Sequence, residues 1–315
     1  MGKSPKGREN RSRWLVAAVA IAVFVAVDVA LVFVATSSGS LPVSTVVPIS
    51  PSAASDDAST PIDAVDAAAI APSSRLLTAW DASSAWRLDV GSCPESDVVV
   101  EHSVDGGRTW DGYDLGANGG LSSATALQAI DDARSVILIA FATADCAPSW
   151  VESSTAGSSW ASYPGRTSTA WFITPSNRAV VQTPTGPLPA PCAAVVGLAS
   201  IDAGKAAALC SDGQVHRTDD GGVSWTLSPT IAGAAAIGST VDGYLVASTE
   251  TRAACQGISI FELGSSRDGT PEPVTDCLAS DTTGDDIALS GNISAIWVWA
   301  GTSVLRSRDG GSTWQ

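Results

Sequence analysis

The sequence predicts an all-β fold, a β-propeller of about six (alternatively five) four-stranded blades, preceded by one N-terminal transmembrane helix. Three observations predict it. A motif ending in tryptophan recurs through residues 76–315, an apolar run fills residues 14–35, and the charge changes sign across that run.

The repeat carries the fold. Ser103-Val104-Asp105-Gly106-Gly107-Arg108-Thr109-Trp110 returns as Thr218-Asp219-Asp220-Gly221-Gly222-Val223-Ser224-Trp225, and again as Ser307-Arg308-Asp309-Gly310-Gly311-Ser312-Thr313-Trp314. Two eroded copies lie between them, Ser153-Ser154-Thr155-Ala156-Gly157-Ser158-Ser159-Trp160 and Ser266-Arg267-Asp268-Gly269-Thr270. Positions 105, 155, 220, 268 and 309 are separated by 50, 65, 48 and 41 residues, a period of propeller blades or a similar array. Asp-Gly-Gly between β-prone runs predicts a tight reversal, because Gly adopts positive φ without steric cost. The Asp, and the Ser or Thr two residues before it, can accept backbone N–H groups across the turn, while the Trp opens the outgoing strand and has a large ring to bury.

Upstream of the turns, Val98–Glu101, Val136–Phe141, Ala206–Leu209, Ile258–Phe261 and Ile296–Trp299 read as strands. Blade one parses as Leu76–Asp81, Trp86–Val90, Val98–Ser103 and Arg108–Tyr113, and the last as Ile287–Ser290, Ala295–Trp299, Val304–Arg308 and Ser312–Gln315. The long second step holds Trp171–Gln182 and a Pro-rich run to Pro191, read as a partial extra blade, which favours six blades over five.

The pattern resembles the Asp-box, or BNR, repeat of sialidases, sortilin-type receptors, some glycoside hydrolases and photosystem II assembly and stability factors. The short blades look most like the last group, whose relatives occur in bacterial envelope proteins. The resemblance implies that Ser103, Asp105, Gly107, Thr109, Trp110, Ser153, Gly157, Trp160, Thr218, Asp220, Gly222, Ser224, Trp225, Asp268, Ser307, Asp309, Gly311, Thr313 and Trp314 are structural. It also implies that the box acids face the blade periphery.

Trp14–Ala35 is 22 residues long with Asp28 as its one ionisable side chain. At about 1.5 Å per residue it spans a hydrocarbon core. Five bases and one acid precede it, and no base follows until Arg75, so the N-terminus is expected in the cytoplasm and the rest outside. A cleaved signal peptide is the rival, but the run is long for one and Val34-Ala35-Thr36-Ser37 is a poor cleavage site. Asp28 has two open explanations: contact with another membrane helix, or a protonated or snorkelling side chain. Residues 36–75 hold five Pro, ten Ser and three Thr with no aromatic residue, a composition expected of a disordered stalk. Thr60-Pro61-Ile62-Asp63 is a helix-start pattern inside it.

Of the chain's 32 acids and 17 bases, thirty acids and twelve bases lie beyond residue 35, and such an acidic body repels phosphate backbones, so no nucleic-acid partner is expected. Six cysteines lie beyond the anchor, read as three disulfides, 93–146, 192–210 and 255–277. Cys192 and Cys210 flank antiparallel strands, as do Cys255 and Cys277, while Cys93 and Cys146 occupy matching loops of adjacent blades. With His102 and His216 as the two histidines, no metal or other cofactor is expected. The histidines are read as equivalent strand positions ahead of their boxes, with structural roles.

The sialidase F/Y-R-I-P-type motif is absent, and the three tyrosines (113, 163 and 244) offer no obvious Tyr–Glu nucleophile pair. Asp131-Asp132 and Asp285-Asp286 are the acid pairs that a glycosidase could use. Trp80, Trp86, Trp150, Trp171, Trp297 and Trp299 lie outside the boxes and predict either packing between blades or an exposed binding cluster. Trp297 and Trp299 share one strand face, which alternation about a single core does not explain. The expected function is a non-enzymatic binding or assembly module for an envelope protein or glycan; the alternative is a divergent sialidase-like glycoside hydrolase.

Overall fold

The computed structural model describes residues 69–250, 257–264, 269–280 and 284–315. The expected tail, membrane span and most of the stalk, the box around Asp268 and Cys255 lie outside the described residues, as does the side chain of Asp285. Among the described residues no helix is long and apolar enough to cross a membrane.

Six antiparallel sheets form the domain. Blade 1 comprises β1 (Arg75–Ala79), β2 (Ala85–Asp89), β3 (Val99–Ser103) and β4 (Asp111–Asp114). A short helix, α1 (Leu115–Gly119), follows; the Asp114 side chain caps it by accepting the Ala117 N–H. Blade 2 is β5 (Leu121–Ala129), β6 (Val136–Ala142), β7 (Pro148–Ser153) and β8 (Ala161–Ser162). Blade 3 has three strands, β9 (Phe172–Thr174), β10 (Asn177–Thr183) and β11 (Gly186–Pro189). Blade 4 is β12 (Val195–Ser200), β13 (Ala206–Cys210), β14 (Val215–Thr218) and β15 (Thr226–Leu227). Blade 5 is β16 (Ala234–Ser239), β17 (Gly243–Ser248), β18 (Gly257–Gly264) and β19 (Glu272–Ala279). Blade 6 is β20 (Ile287–Gly291), β21 (Ile296–Ala300) and β22 (Ser303–Ser307).

Contacts run β1 to β5, β5 to β9, β9 to β12, β12 to β16, β16 to β20 and β20 back to β1. The ring is closed. Six blades agree with the favoured of the two expected numbers, but two of them have three strands rather than four. Second strands such as β6, β13 and β21 are buried along nearly their whole length, because each blade is covered by a neighbour on both faces. That accounts for Trp297 and Trp299, which are both buried in β21 although Val298 between them is buried too.

The outer strands are shorter than the sequence suggests. β4 begins at Asp111 rather than Arg108, because the backbone N–H groups of Arg108 and Thr109 donate to the Asp105 carboxylate instead of to a strand. In blade 6 the expected strand 312–315 reduces to Gln315, whose backbone exchanges two hydrogen bonds with Arg306.

The cysteine pairings follow loop position. Cys93–Cys146 joins the loops after the second strands of blades 1 and 2, and Cys192–Cys210 pins the approach to blade 4. Cys277 is also disulfide-bonded.

The two faces of the ring differ. One, the turn face, carries the turns between first and second strands together with the box turns. The other, the loop face, carries both described disulfides. Residues 70–75, expected to be stalk, are held on the loop face: Ile70 N–H donates to Ser211 O of blade 4 (2.7 Å), and the Ser73 hydroxyl donates to Ile287 O of blade 6 (2.9 Å). The segment runs from blade 4 to blade 1, on opposite sides of the ring, and Pro72 and Ser73 line the central cavity.

Candidate functional site

The repeated turns share one hydrogen-bond pattern. In blade 1 the Ser103 hydroxyl donates to Asp105 Oδ1 (3.0 Å) and accepts the Gly107 N–H (2.9 Å), while the Thr109 N–H and hydroxyl donate to the two Asp105 oxygens (3.0 and 2.7 Å). Asp220 with Thr218 and Ser224, and Asp309 with Ser307 and Thr313, repeat it. Gly107 and Gly222 have φ of 84° and 88°, a region that L side chains rarely adopt, and each packs against the preceding blade. In the eroded copy Thr155 replaces Asp: its hydroxyl accepts the Ser159 N–H (2.8 Å), and Gly157 N–H still reaches Ser153 Oγ (3.0 Å). Trp110 and Trp314 donate their indole N–H to Gly107 O and Gly311 O. Trp160 packs edge-on to Trp86, and Trp225 edge-on to Trp171.

These carboxylates sit on the rim, fully engaged by donors. The Thr109 N–H and hydroxyl pull Asp105 down to about 2, and the Thr313 hydroxyl and N–H pull Asp309 down to about 2. A depressed carboxylate contributes stability that is complete above its ordinary value near 3.8 and is lost as pH falls through the folded value. Thermal melts between pH 5 and pH 2 should therefore lose midpoint mainly between about pH 4 and pH 2, less so in Asp105→Asn with Asp309→Asn. Equal pH slopes in the two proteins would contradict the assignment.

A sixth turn escaped the sequence reading. In blade 3 the buried Thr183 hydroxyl donates to Gly186 O (2.8 Å) and accepts the Thr185 N–H (3.2 Å), with no Trp to mark the site. Thr183 packs beside Gly222 of blade 4 as Val304 packs beside Gly107 of blade 1. Trp171 Nε1 donates to Asp202 O (2.9 Å) as Trp297 Nε1 donates to Asp81 O (3.0 Å). β9, β10 and β11 thus correspond to the second, third and fourth strands of the other blades. In the chain segment before β9, Pro164–Thr169 forms a 3-10 turn beside β7 and β10 instead of a first strand.

The position before each box Ser or Thr links blades. His102 stacks on Trp86 (3.8 Å) and shares a hydrogen bond with Ser84 Oγ, which donates to Ala133 O of blade 2. Arg217 donates to Gly264 O and Gly269 O of blade 5, and Arg306 to Ala82 O of blade 1. The equivalent of His102 is therefore Arg217. His216 lies one residue earlier, on the opposite strand face, opposite Ala208. The expected equivalence of the two histidines is corrected, since a one-residue shift in a strand reverses the side chain's face. Burial lowers the pKa of both.

A central cavity of ≈ 350 Å³ is lined by the first strands of blades 1, 2, 4, 5 and 6 and, at blade 3, by β9 and its surroundings. Its walls mix apolar and polar groups, and among the described residues Asp202 is the carboxylate that lines it. Asp131 and Asp132 lie instead in the exposed turn after β5, where the Arg134 N–H lowers Asp132. Asp286 accepts from Ser74 and approaches Arg75. Glu262 and Glu272 face each other across β18 and β19 but are exposed at the rim of blade 5. No cluster of three potential metal ligands occurs among the described residues.

Of the tryptophans outside the boxes, Trp86, Trp171, Trp297 and Trp299 are buried and Trp150 is half-buried. Trp80 is 38% exposed at the end of β1. Blades 5 and 6 place Val241 (50% exposed) and Ile293 (91%) in the corresponding turns. These blades are neighbours: Thr240 abuts Gly291, and Ala79 N–H donates to Ser290 Oγ (2.9 Å).

No protein-family model matches the sequence, and no curated protein does. Solved structures that are similar include YCF48 from Cyanidioschyzon merolae, at 17% identity and TM-score 0.31 over 78% of this chain and 85% of that one. A fucose-specific lectin from Aleuria aurantia aligns at 14% identity and TM-score 0.46, over 79% and 96%. A Niastella koreensis GH74 enzyme aligns at 11% identity and TM-score 0.38, over 76% of this chain but 46% of the enzyme.

Proposed function

We propose that this chain is a membrane-anchored, extracytoplasmic propeller of the Asp-box type that binds an envelope protein through its turn face and catalyses no reaction. The observation that carries the reading is the run of Val241, Ile293 and Trp80 on three consecutive blades, exposed around one side of the ring. Exposed large apolar side chains on one face favour association, and tryptophan contributes strongly to protein interfaces. Within the described residues the chain joins the ring on the loop face, through Ile70 and Ser73. The apolar span, the basic residues before it and the cysteines support an extracytoplasmic location.

The alternative, a divergent sialidase-like hydrolase, needs two carboxylates across a bound sugar. The cavity offers Asp202 among the described residues, and the Glu262/Glu272 pair lacks an enclosing wall. Affinity capture with the full chain from detergent-solubilised envelope should retain a specific partner. Trp80→Ser with Val241→Ser and Ile293→Ser should lose it at an unchanged melting temperature. Retention by the triple variant, or turnover of aryl glycosides by the native chain, would refute the reading.

A further inference from the structure

The central cavity, at ≈ 350 Å³, is of the size that takes a small organic molecule. Every blade contributes a branched apolar residue to its wall: Leu77, Leu127, Ile173, Leu198, Ile237 and Leu289, in blade order. Its two ends carry opposite charges. Arg178 lines the loop-face end, where its Nη1 donates to Val195 O at the start of β12 (3.1 Å). Asp202 lines the other, just beyond the end of the same strand.

Arg178 is the cation with capacity to spare. The other arginine on the wall, Arg75, donates to Asp286 O and Gly301 O, lies over the Trp299 ring and approaches the carboxylates of Asp89 and Asp286. Arg178 donates to one carbonyl, and no carboxylate among the described residues lies within ion-pair distance of it. Burial disfavours its charge, which an incoming anion would offset. Its guanidinium fork can meet a carboxylate with two donors.

The same end is bordered by the N-terminal segment. Ile70 N–H donates to Ser211 O, Ser211 N–H donates to Ala194 O beside Val195, and Pro72 and Ser73 line the cavity. A carboxylate on Arg178 would lie beside this segment, and Asp202 would repel it from the opposite end.

We propose that the central cavity binds a small monocarboxylate with an aliphatic body, its carboxylate on Arg178 and its chain among the apolar residues of the ring. This site is distinct from the turn-face patch, so either can fail without the other.

The test is isothermal titration calorimetry on the full chain in lipid nanodiscs, with the signal of empty nanodiscs subtracted. Hexanoate should bind saturably. Hexanamide, of the same shape without the charge, should bind at least tenfold more weakly, and so should propanoate, which has three fewer methylenes to bury. Arg178→Gln should reduce hexanoate to the level of hexanamide and leave hexanamide unchanged. Leu198→Phe, which fills the cavity from β12, should weaken hexanoate at least tenfold, and it decides the matter if Arg178→Gln does not fold. No saturable binding of hexanoate at millimolar concentration, or native affinity in the folded variants, would overturn the proposal. Equal binding of hexanoate and hexanamide would overturn the role of Arg178, and equal binding of hexanoate and propanoate that of the apolar wall.

Discussion

Trp297→Ala should destabilise the domain by about 3–5 kcal/mol, the range for removing a fully buried aromatic side chain. The reason lies in how the ring closes. Among the described residues no sheet is shared between blades 1 and 6, so no backbone ladder of theirs crosses that seam. Side chains close it. Trp297 packs among Leu77, Ala79, Ala85 and Trp299, and donates to Asp81 O. Arg75 and Arg87 lie over the Trp299 ring (4.4 and 4.7 Å), Arg87 also covers Trp110 (4.2 Å), and Arg306 binds Ala82 O. Total domain stabilities are about 5–15 kcal/mol, so this one change would remove a large share. Urea unfolding followed by far-UV circular dichroism measures it. Trp297→Phe should cost clearly less, and a loss below about 1 kcal/mol for the alanine variant would mean that the seam does not hold the ring.

The second large effect belongs to the disulfides. Cys93–Cys146 closes 53 residues and Cys192–Cys210 closes 18. Loop-closure entropy in the unfolded chain then gives about 4 kcal/mol for the first and about 3 kcal/mol for the second. Cys93→Ser with Cys146→Ser should therefore lower the urea midpoint more than Cys192→Ser with Cys210→Ser. The reverse order would show that local packing at blade 4 outweighs the link between blades 1 and 2.

What the sequence revealed was local. Ser103, Asp105 and Thr109 satisfy one another within seven residues, so the turn leaves a compact signature wherever it recurs. Blade 3 was legible as a partial blade within the long second step, but its turn was not. Its turn keeps two threonine hydroxyls and one glycine, and Pro164–Thr169 lacks the branched apolar residues that would make an inner strand. The linking arginines were invisible because Arg217 and Arg306 look like ordinary polar strand residues until the boxes are aligned. Their partners, Gly264 and Ala82, lie in other blades. Alternation about one core left Trp297 and Trp299 unexplained for a related reason: a propeller strand has a core on each side.

Site-directed photo-cross-linking tests the functional claim most directly. A benzophenone side chain replaces Ile293 on the turn face or Glu95 on the loop face of the full chain, and both proteins are irradiated in intact envelope. The turn-face position should give a discrete adduct with one envelope protein, absent from the loop-face position and abolished by Trp80→Ser with Val241→Ser. The same adduct from Glu95, or none from Ile293, would contradict the account.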